Sequence, residues 1–353
     1  DGNSVKETVQ SIYNSYDNFE LFVINDKSKD NSLEILKNLK KEYKFELIDN
    51  KENFGKSLSI NKIANQTTGE IIFIVDADII LTKEAVTDII KRFDSNSNTA
   101  AVSCPYKSKS RGFLARMQDI EYNILKMINY AQNSLSVLAL WGGCLAVKRE
   151  KFFEVNKLSK NALVEDVDLA LKLYNKGYKV EQSSVCVKTE VPTTLKSWGK
   201  QKIRWISGGA QCFLTYPKLY LKNPIFLIFN LSNIFLIAAF IYYSSGYIGS
   251  FIPLLKNFLS ITNLKNLTSF LIHPEIIDKK ILLHGIFVKF GFLIFSIPYV
   301  LMTIESKREF YKIFYLVPFV LIYSPIFTFI YFFGLIKGVK KYFELKKTKK
   351  RAW

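Results

Sequence analysis

Up to about residue 220, apolar residues follow a helical period and a strand-like run in turn. Val5 and Val9 stand one helical turn apart, Ile12 shares their face, and a strand-like run that is apolar except for Glu20 follows at 19–24. The same succession continues in a helix at 33–39, a strand at 45–48, a helix at 58–63 and a strand at 71–75. Such alternation predicts an α/β fold, with a mostly parallel sheet covered by helices on both faces.

Beyond about residue 220, this interleaving gives way to long apolar and aromatic runs. They cover 225–243, 281–302 and 313–336. Each has about the 20 residues needed to cross the hydrocarbon of a bilayer, so we predict transmembrane helices. Buried core helices are the weaker alternative, because three of them would leave little polar surface to keep a soluble domain in water.

A fourth segment, 247–272, decides the predicted topology. Lys256 and Lys265 make it a poor span, and a helix lying in the membrane interface is the alternative. An even number of crossings, with four slightly favoured, returns the C-terminal tail to the side of the catalytic domain. We therefore expect a multi-pass protein of the cell membrane, with a cytoplasmic catalytic domain at 1–220, membrane helices at 221–340 and a basic cytoplasmic tail at 341–353.

The formal net charge of +18 points to an anionic partner. A basic cluster directly follows the last apolar run, where cytoplasmic retention and anionic lipids both favour Lys and Arg. The cluster comprises Lys340, Lys341, Lys346, Lys347, Lys349, Lys350 and Arg351. We therefore expect membrane lipids as partners and no nucleic acid.

Cysteine and histidine usage limits the chemistry of the first half. The four cysteines show no C-x-x-C spacing, and both histidines, His273 and His284, lie in the apolar half. A zinc site, disulfide staples and a His-based triad are therefore not expected in the first half. Chemistry there must use carboxylates.

Carboxylates at strand ends are candidate ligands, because open α/β sheets bind ligands beyond the carboxyl ends of their strands. Asp26 follows the strand at 19–24, where a helix cap and a nucleotide contact are equally good interpretations. Asp76 and Asp78 follow the strand at 71–75, where crowded carboxylates call for a cation or donors, with paired turn residues as the alternative. We expect Asp78 to bind Mg²⁺ or Mn²⁺, and Asp76 the nucleoside or the same metal.

Two glycine-containing segments and one acidic pair add further candidates. Gly55 is expected to supply a positive φ, and Lys56 after it is either a turn residue or a phosphate ligand. Glu165 and Asp166 open an apolar helix, where acidic residues suit the helix dipole and where a general base is the other interpretation. The Trp-Gly-Gly-Cys segment at 141–144 either turns the chain or lets the backbone approach a sugar closely.

A basic aromatic segment precedes the apolar runs. On a helix, Gln201, Arg204 and Trp205 share one face. The planar fork of Arg beside Trp suits a pyrophosphate. Anchoring of the helix at the membrane interface is the alternative, above all for Trp198 and Lys202.

Together these motifs resemble those of the processive inverting glycosyltransferases of family 2, the group that contains cellulose, chitin, hyaluronan and poly-N-acetylglucosamine synthases. The matching elements occur in the family's order: VINDKSKD at 23–30, DAD at 76–78, VEDVDL at 164–169 and QKIRW at 201–205. The resemblance covers roughly residues 1–220. Each element is modest alone, and the combination is specific.

The resemblance implies a GT-A fold that uses a UDP-sugar and a divalent metal, Mg²⁺ or Mn²⁺. By matching positions, it implies that Asp26 contacts the uridine, Asp76 the nucleotide and Asp78 the metal. Lys56 is retained as a donor-binding candidate for its reach toward a phosphate.

The resemblance also implies the residues that carry the reaction. Asp166, with Glu165 beside it, is the expected base that deprotonates the acceptor hydroxyl. Gln201, Arg204 and Trp205 are expected to hold the diphosphate and to frame the acceptor.

Two features depart from the family's pattern. The family commonly has two consecutive aspartates where this chain has Asn25 and Asp26, and a loop glycine where it has Lys27. The usual first strand is also missing before Asp1, so we expect residues upstream of this sequence.

Three functions follow as hypotheses. The leading one is a membrane-embedded processive synthase that lengthens a polysaccharide with inversion and translocates it. The second is a non-processive transferase acting on a lipid-linked acceptor. The third is a membrane scaffold with a dead transferase fold, which is disfavoured because every charged catalytic candidate is present.

Overall fold

The computed structural model describes residues 2–224 and 314–347. Of these, 2–224 and 329–347 belong to one compact unit, and 314–328 belong to a second. The apolar segments predicted at 225–243, 247–272 and 281–302 lie outside the described residues, as does the tail beyond 347.

The helices alternate with strands over most of the first unit. In chain order the described helices are α1 (Gly2–Tyr13), α2 (Ser32–Leu39), α3 (Lys56–Ala64), α4 (Lys83–Ser95), α5 (Phe113–Gln132), α6 (Arg149–Glu154), α7 (Glu165–Asn175), α8 (Leu195–Thr215), α9 (Pro217–Leu221), α10 (Leu316–Pro318), a π-helix (Phe319–Tyr323) and α11 (Ser324–Lys347). The helices and strands predicted up to residue 75 are confirmed, with ends that shift by a few residues.

In the described part of the chain, the strands form three sheets. They are β1 (Phe22–Asn25), β2 (Glu46–Asp49), β3 (Ile71–Val75), β4 (Thr99–Ser103), β5 (Tyr106–Ser108), β6 (Cys144–Lys148), β7 (Lys179–Gln182) and β8 (Val187–Thr189). β1 pairs with β2 and β5 with β8, both in parallel. The central sheet has the order β3-β6-β4-β7.

The central sheet is mixed. This finding corrects, for the central sheet, the prediction of a mostly parallel arrangement. β6 lies between β3 and β4 and runs antiparallel to both, whereas β4 and β7 are parallel. A buried strand shows the same apolar run in either direction, so the sequence pattern does not reveal its direction. The reversal of β6 brings its first residue, Cys144, opposite Val75 at the end of β3.

Alternation along β6 builds a core on each face of the central sheet. Leu145 and Val147 pack with residues of α6 and α7, including Phe152 and Leu169. Cys144 and Ala146 point to the other face and pack with residues of α4, including Ile89. Successive side chains of a strand face opposite sides, and a strand that is apolar at every position is therefore covered on both faces.

The second half of α11 packs against α8 within the first unit. Ser207 Oγ donates a hydrogen bond to the carbonyl of Gly334 at 3.0 Å. A Cβ atom on Gly338 would lie 2.5 Å from the carbonyl oxygen of Ser207, so only glycine allows this approach. α11 thereby holds the helix that carries the Gln-x-x-Arg-Trp segment.

The predicted run at 313–336 divides between α10, the π-helix and the first part of α11. Within residues 2–224 and 314–347, none of the helices combines the length and the apolar character that a bilayer crossing requires.

Lys27 adopts a left-handed backbone conformation with φ +60°. This conformation costs a non-glycine residue about 1–2 kcal/mol, and it explains why glycine is common at this position in the family that the sequence resembles. We expect Lys27→Gly to raise the free energy of unfolding of the full chain by about 0.5–1 kcal/mol, the net of relieved strain and lost chain stiffness. Urea unfolding followed by circular dichroism measures the change.

Lys29→Gly is the matched control, because Lys29 is an exposed neighbour without a positive φ. It is expected to lower the stability. Equal losses in the two variants would contradict the strain at Lys27.

Candidate active site

The pairing of β3 with β6 creates the centre of the candidate site. The amide of Asp76 donates to the carbonyl of Gly143 at 2.8 Å, which extends the ladder beyond the paired Val75 and Cys144. The Gly142–Gly143 turn therefore lies directly beside the first aspartate of the Asp-Ala-Asp motif.

Lys56 ties three separate segments together at this point. Its Nζ atom lies 2.6 Å from Asp76 Oδ1 and 3.4 Å from Glu165 Oε1, and it donates to the carbonyl of Gly142 at 2.8 Å. Burial lowers the pKa of Lys56, but the charges of Asp76 and Glu165 outweigh it and raise the pKa above its usual value. Lys56 is therefore a permanent cation between two carboxylates.

Asp26 holds the loop that delivers Lys56. Its carboxylate accepts hydrogen bonds from the amides of Phe54 at 3.0 Å and Gly55 at 2.7 Å, and from Ser59 Oγ at 3.1 Å. Burial opposes ionisation, but these donors together with Asn50 bring the pKa of Asp26 below its usual value.

Asp26 does not cap α2, the helix that follows it, because its carboxylate bonds to Asn50 after β2 and to residues at the start of α3. The nucleotide contact remains a prediction. Gly55 has φ +78°, so the positive φ predicted there is confirmed.

Asp166 lies against Gly142 of the glycine turn. A Cβ atom on Gly142 would lie 2.4 Å from Asp166 Oδ2, so only glycine leaves room for this carboxylate. Asp166 Oδ1 accepts from the amide of Val167 at 2.9 Å within the first turn of α7. Burial, and then the charge of Glu165, raise the pKa of Asp166 to about 6.

The two glycines therefore accommodate side chains of the site. Gly143 makes room for the Tyr106 hydroxyl and for Asp76, since a Cβ there would lie 2.7 Å and 3.2 Å from their oxygens. The groups that approach the glycine backbone in the structure are protein side chains. Contact with a sugar stays a prediction.

Tyr106 is a site residue that the sequence did not suggest. Its hydroxyl oxygen accepts a hydrogen bond from the amide of Gly143. Its ring meets those of Trp141 and Tyr122 edge to face, with centroids 4.8 Å and 5.9 Å apart. Burial and the charges of Asp76 and Asp166 raise the pKa of Tyr106 far above its usual value, so it stays protonated. The signal that the sequence offers is a tyrosine three residues after the end of β4.

Asp78 lies two residues further along the Asp-Ala-Asp turn. Its Oδ2 atom accepts from Thr189 Oγ1, at the end of β8, at 2.8 Å. Burial, and then the charge of Asp76, raise the pKa of Asp78. The pair of aspartates therefore repel each other, as the sequence predicts for an end of a buried strand.

The Gln-x-x-Arg-Trp segment lies in the middle of α8, which begins after Thr194, whose Oγ1 accepts from the amide of Ser197 at 3.2 Å. Gln201 Oε1 is buried and has no hydrogen-bond partner among the described residues. Arg204 is exposed and, within 2–224 and 314–347, forms no ion pair. Trp205 packs against the cluster of Tyr122 and Trp141.

Anchoring at the membrane interface is wrong for Trp198 and Lys202. Both side chains are 1% exposed, because they face the protein interior on α8. Lys202 pairs with Glu121 at 2.8 Å.

The structure brings Lys56, Asp76, Glu165 and Asp166 together around one turn, with Asp78 beside them.

The close approach at Gly142 predicts an effect on stability. Gly142→Ala is expected to lower the free energy of unfolding by about 1–3 kcal/mol, because the new methyl group collides with the Asp166 carboxylate. Gly209→Ala is the matched control, since a Cβ there meets nothing within 4 Å. Thermal unfolding of both variants distinguishes the two sites, and equal behaviour would contradict the packing of Asp166 on Gly142.

Comparison with known proteins finds a family match over the first part of the chain. Residues 2–155 match Glycosyl transferase family 2. The chain is 27% identical over 270 residues to poly-beta-1,6-N-acetyl-D-glucosamine synthase of Staphylococcus epidermidis, covering 74% of this chain and 65% of that protein. The enzyme of the same description from Staphylococcus aureus (strain MSSA476) is 26% identical over 220 residues, covering 61% of this chain and 53% of its own length.

The chain thus spans about half to two thirds of the length of these curated relatives. Among solved structures, a mannosyltransferase from Pyrobaculum calidifontis, in complex with GDP-Man and Mn²⁺, superposes with a TM-score of 0.54 at 18% identity, over 80% of this chain and 84% of that one. This likeness shows the GT-A fold. The resemblance drawn from the motifs is confirmed, in that residues 2–155 match a glycosyltransferase family 2 domain.

Proposed function

We propose that this protein is a processive inverting glycosyltransferase that transfers a sugar from a UDP-sugar to the hydroxyl end of a growing polysaccharide. The observation that carries the proposal is the grouping of Asp166, Lys56, Asp76 and Glu165 around the Gly142 turn. One carboxylate there has its pKa raised to about 6, while a fixed lysine compensates its acidic neighbours. This arrangement suits one base beside a site for an anionic donor.

Inversion follows from a single displacement. The acceptor hydroxyl attacks the anomeric carbon, its proton passes to Asp166, and the bond from the anomeric carbon to the diphosphate breaks. A base with a pKa near 6 is ionised at neutral pH and still basic enough to take the proton. Glu165 contributes through its charge, which raises the pKa of Asp166, and through its ion pair with Lys56.

The leaving diphosphate requires positive charge. Arg204 is exposed, and its planar fork matches two phosphate oxygens. Gln201, one turn earlier, has a buried carbonyl oxygen that awaits a donor, and Trp205 supplies an apolar wall for the acceptor. Asp76 and Asp26 face the nucleotide in this proposal, with Lys56 able to exchange a carboxylate for a phosphate.

A divalent metal fits the acidic turn. Asp76 and Asp78 repel each other, and Mg²⁺ or Mn²⁺ would relieve this repulsion with the oxygen ligands that these ions prefer. In the described part of the chain, no group of three or more His, Cys, Asp or Glu side chains could hold a metal. Asp78 would therefore share the ion with the donor's phosphates, as is common for Mg²⁺, and the bound ion would neutralise charge on the leaving group.

The donor proposed is UDP-N-acetylglucosamine, because the relatives in Staphylococcus are described as poly-beta-1,6-N-acetyl-D-glucosamine synthases. A lipid-linked acceptor with transfer of one sugar is the alternative. The similarity to two polymer synthases favours the polysaccharide acceptor.

We also propose a multi-pass location in the cell membrane, with a cytoplasmic catalytic domain and export of the polymer. The apolar runs at 225–243 and 281–302 have the length of spans. On α11, large apolar side chains are more than half exposed, as apolar surface in contact with lipid would be: Phe329, Phe332, Phe333 and Ile336. Lys340 and Lys341 follow them on the same helix, where anionic lipid headgroups would attract them.

The function is tested with the full chain in membranes and labelled UDP-N-acetylglucosamine. We expect long polymer that appears only with Mg²⁺ or Mn²⁺, because the diphosphate leaves poorly without a counter-charge. Product length by gel electrophoresis and a manganese titration are the measurements. Asp78→Asn is the control that should not respond to the metal.

A product one sugar longer than a lipid-linked acceptor would favour the alternative function. Neither transfer nor donor hydrolysis at any metal concentration would overturn the proposal.

The raised pKa of Asp166 predicts the pH dependence of transfer. The rate is expected to fall about tenfold per pH unit below pH 6 and to level off above it, because the base must be ionised. Glu165→Gln is expected to lower the pH below which the rate falls, since the charge of Glu165 raises the pKa of Asp166. Initial rates of the wild type and of Glu165→Gln give the two pH profiles. They are measured between pH 4.5 and 8, about the range in which a carboxyl of this pKa titrates.

Asp166→Asn is the matched control. Its rate is expected to be about 10²–10⁴-fold lower than that of the wild type and to show no fall near pH 6. If the wild-type rate fell only near pH 4, in the ordinary range of an aspartate, the assignment of Asp166 as a buried base would be contradicted.

A further inference from the structure

Lys202 is a buried cation that the proposed chemistry does not use. Its side chain is 1% exposed, and its Nζ atom lies 2.8 Å from Glu121 Oε1 on α5. Glu121 is itself only 13% exposed. An ammonium that is both buried and paired with a carboxylate is not available to a phosphate in the solvent.

The ammonium also lies over two aromatic rings. Nζ is 4.2 Å from the ring of Trp205 and 5.1 Å from that of Tyr122. The two rings are 6.3 Å apart and tilted by 38°. The attraction of a cation to a ring face strengthens when water is excluded, so this contact restrains the indole plane.

The charge pair gives the contact a fixed reference point. Glu121 and Tyr122 are consecutive residues of α5, whereas Lys202 and Trp205 are three residues apart on α8 and share a face. The Lys202 ammonium therefore pairs with Glu121 on α5 and contacts the ring of Trp205 on its own helix, α8. Arg204, one position before Trp205, points into the solvent instead.

We propose that Lys202, with Glu121, is a positioning residue that fixes the indole of Trp205 as a wall of the acceptor site. This inference rests on the proposed function for its catalytic consequence only. Two residues of α8 then have different roles. Arg204 binds the donor diphosphate, and Lys202 sets the orientation of the Trp205 ring beside the acceptor. Loss of the ammonium is expected to impair acceptor handling without weakening donor binding.

The test uses the double variant Glu121→Gln/Lys202→Met in the full chain, because removing both charges avoids leaving one buried alone. We expect the mean polymer length or transfer rate to fall about tenfold to a hundredfold, as misplaced substrate contacts do, with the KM for UDP-N-acetylglucosamine within about twofold. Lys202→Arg keeps the charge and the ring contact, and it is expected to retain most of the product length.

Arg92→Met/Glu181→Gln is the matched control. It removes another partly buried ion pair, 3.0 Å long, which joins α4 to β7, whereas the Gln-x-x-Arg-Trp segment belongs to α8. It is expected to leave product length unchanged. Equal loss in the control, or a proportional loss of donor affinity and polymer length in the Glu121/Lys202 variant, would overturn the positioning role.

A second measurement does not depend on activity. Acrylamide quenching of tryptophan fluorescence, taken as the difference between each protein and its Trp205→Phe counterpart, reports the accessibility of Trp205 alone. We expect this difference to rise in Glu121→Gln/Lys202→Met and to return in Lys202→Arg. Unchanged accessibility overturns the inference, whereas absence of transfer in the wild type with the quenching result intact overturns only the proposed function.

Discussion

The antiparallel pairing of β6 with β3 is the constraint on which the candidate site depends. If β6 ran parallel to β3, its first residue would lie at the far edge of the sheet, and the turn before it would be a strand length away from Asp76. Reversed, it puts Gly143 within a 2.8 Å hydrogen bond of Asp76. Both glycines then lie where Asp166 and Tyr106 approach from α7 and β5, and a Cβ atom at either position would collide with them. The buried cores on both faces of β6 fix its register, because a slip by one residue would exchange the two faces.

Charge balance is the second constraint, since four acidic residues crowd around one turn. Lys56 compensates Asp76 and Glu165 through direct ion pairs, and the network of Asp26 holds the loop that carries it. Among the described residues Asp166 has no such ion pair, and burial and its neighbour Glu165 raise its pKa. Asp78 likewise has no ion pair within residues 2–224 and 314–347, and its pKa is raised. One lysine thus leaves two carboxylates with elevated proton affinity, and these are the two to which the proposed function gives a base and a metal.

The sequence predicted much of this arrangement because its strongest signals are local. The strand at 71–75 and the acidic residues after it follow from a short apolar run, and Gly55 follows from turn chemistry. The direction of β6 did not follow, because strand direction depends on partners distant in sequence. Tyr106 and Lys202 were missed as site residues for the same reason. A tyrosine beside a strand and a lysine on a basic helix are unremarkable until Gly143, Glu121 and Trp205 are known to lie next to them.

The aromatic cluster connects the two parts of the site that the sequence presents as separate motifs. Trp205 packs on Tyr122, Tyr122 on Trp141 and Tyr106, and the Tyr106 hydroxyl accepts from the turn that Asp166 approaches. Rings packed in this way move independently of one another only at a cost, because displacement of one removes packing contacts from the next. Displacement of α8 would therefore be felt at the Gly142–Gly143 turn, about 60 residues earlier in the chain. A cluster of this kind lets the group proposed to hold the leaving diphosphate and the group proposed to take the proton keep one geometry, which a single displacement requires.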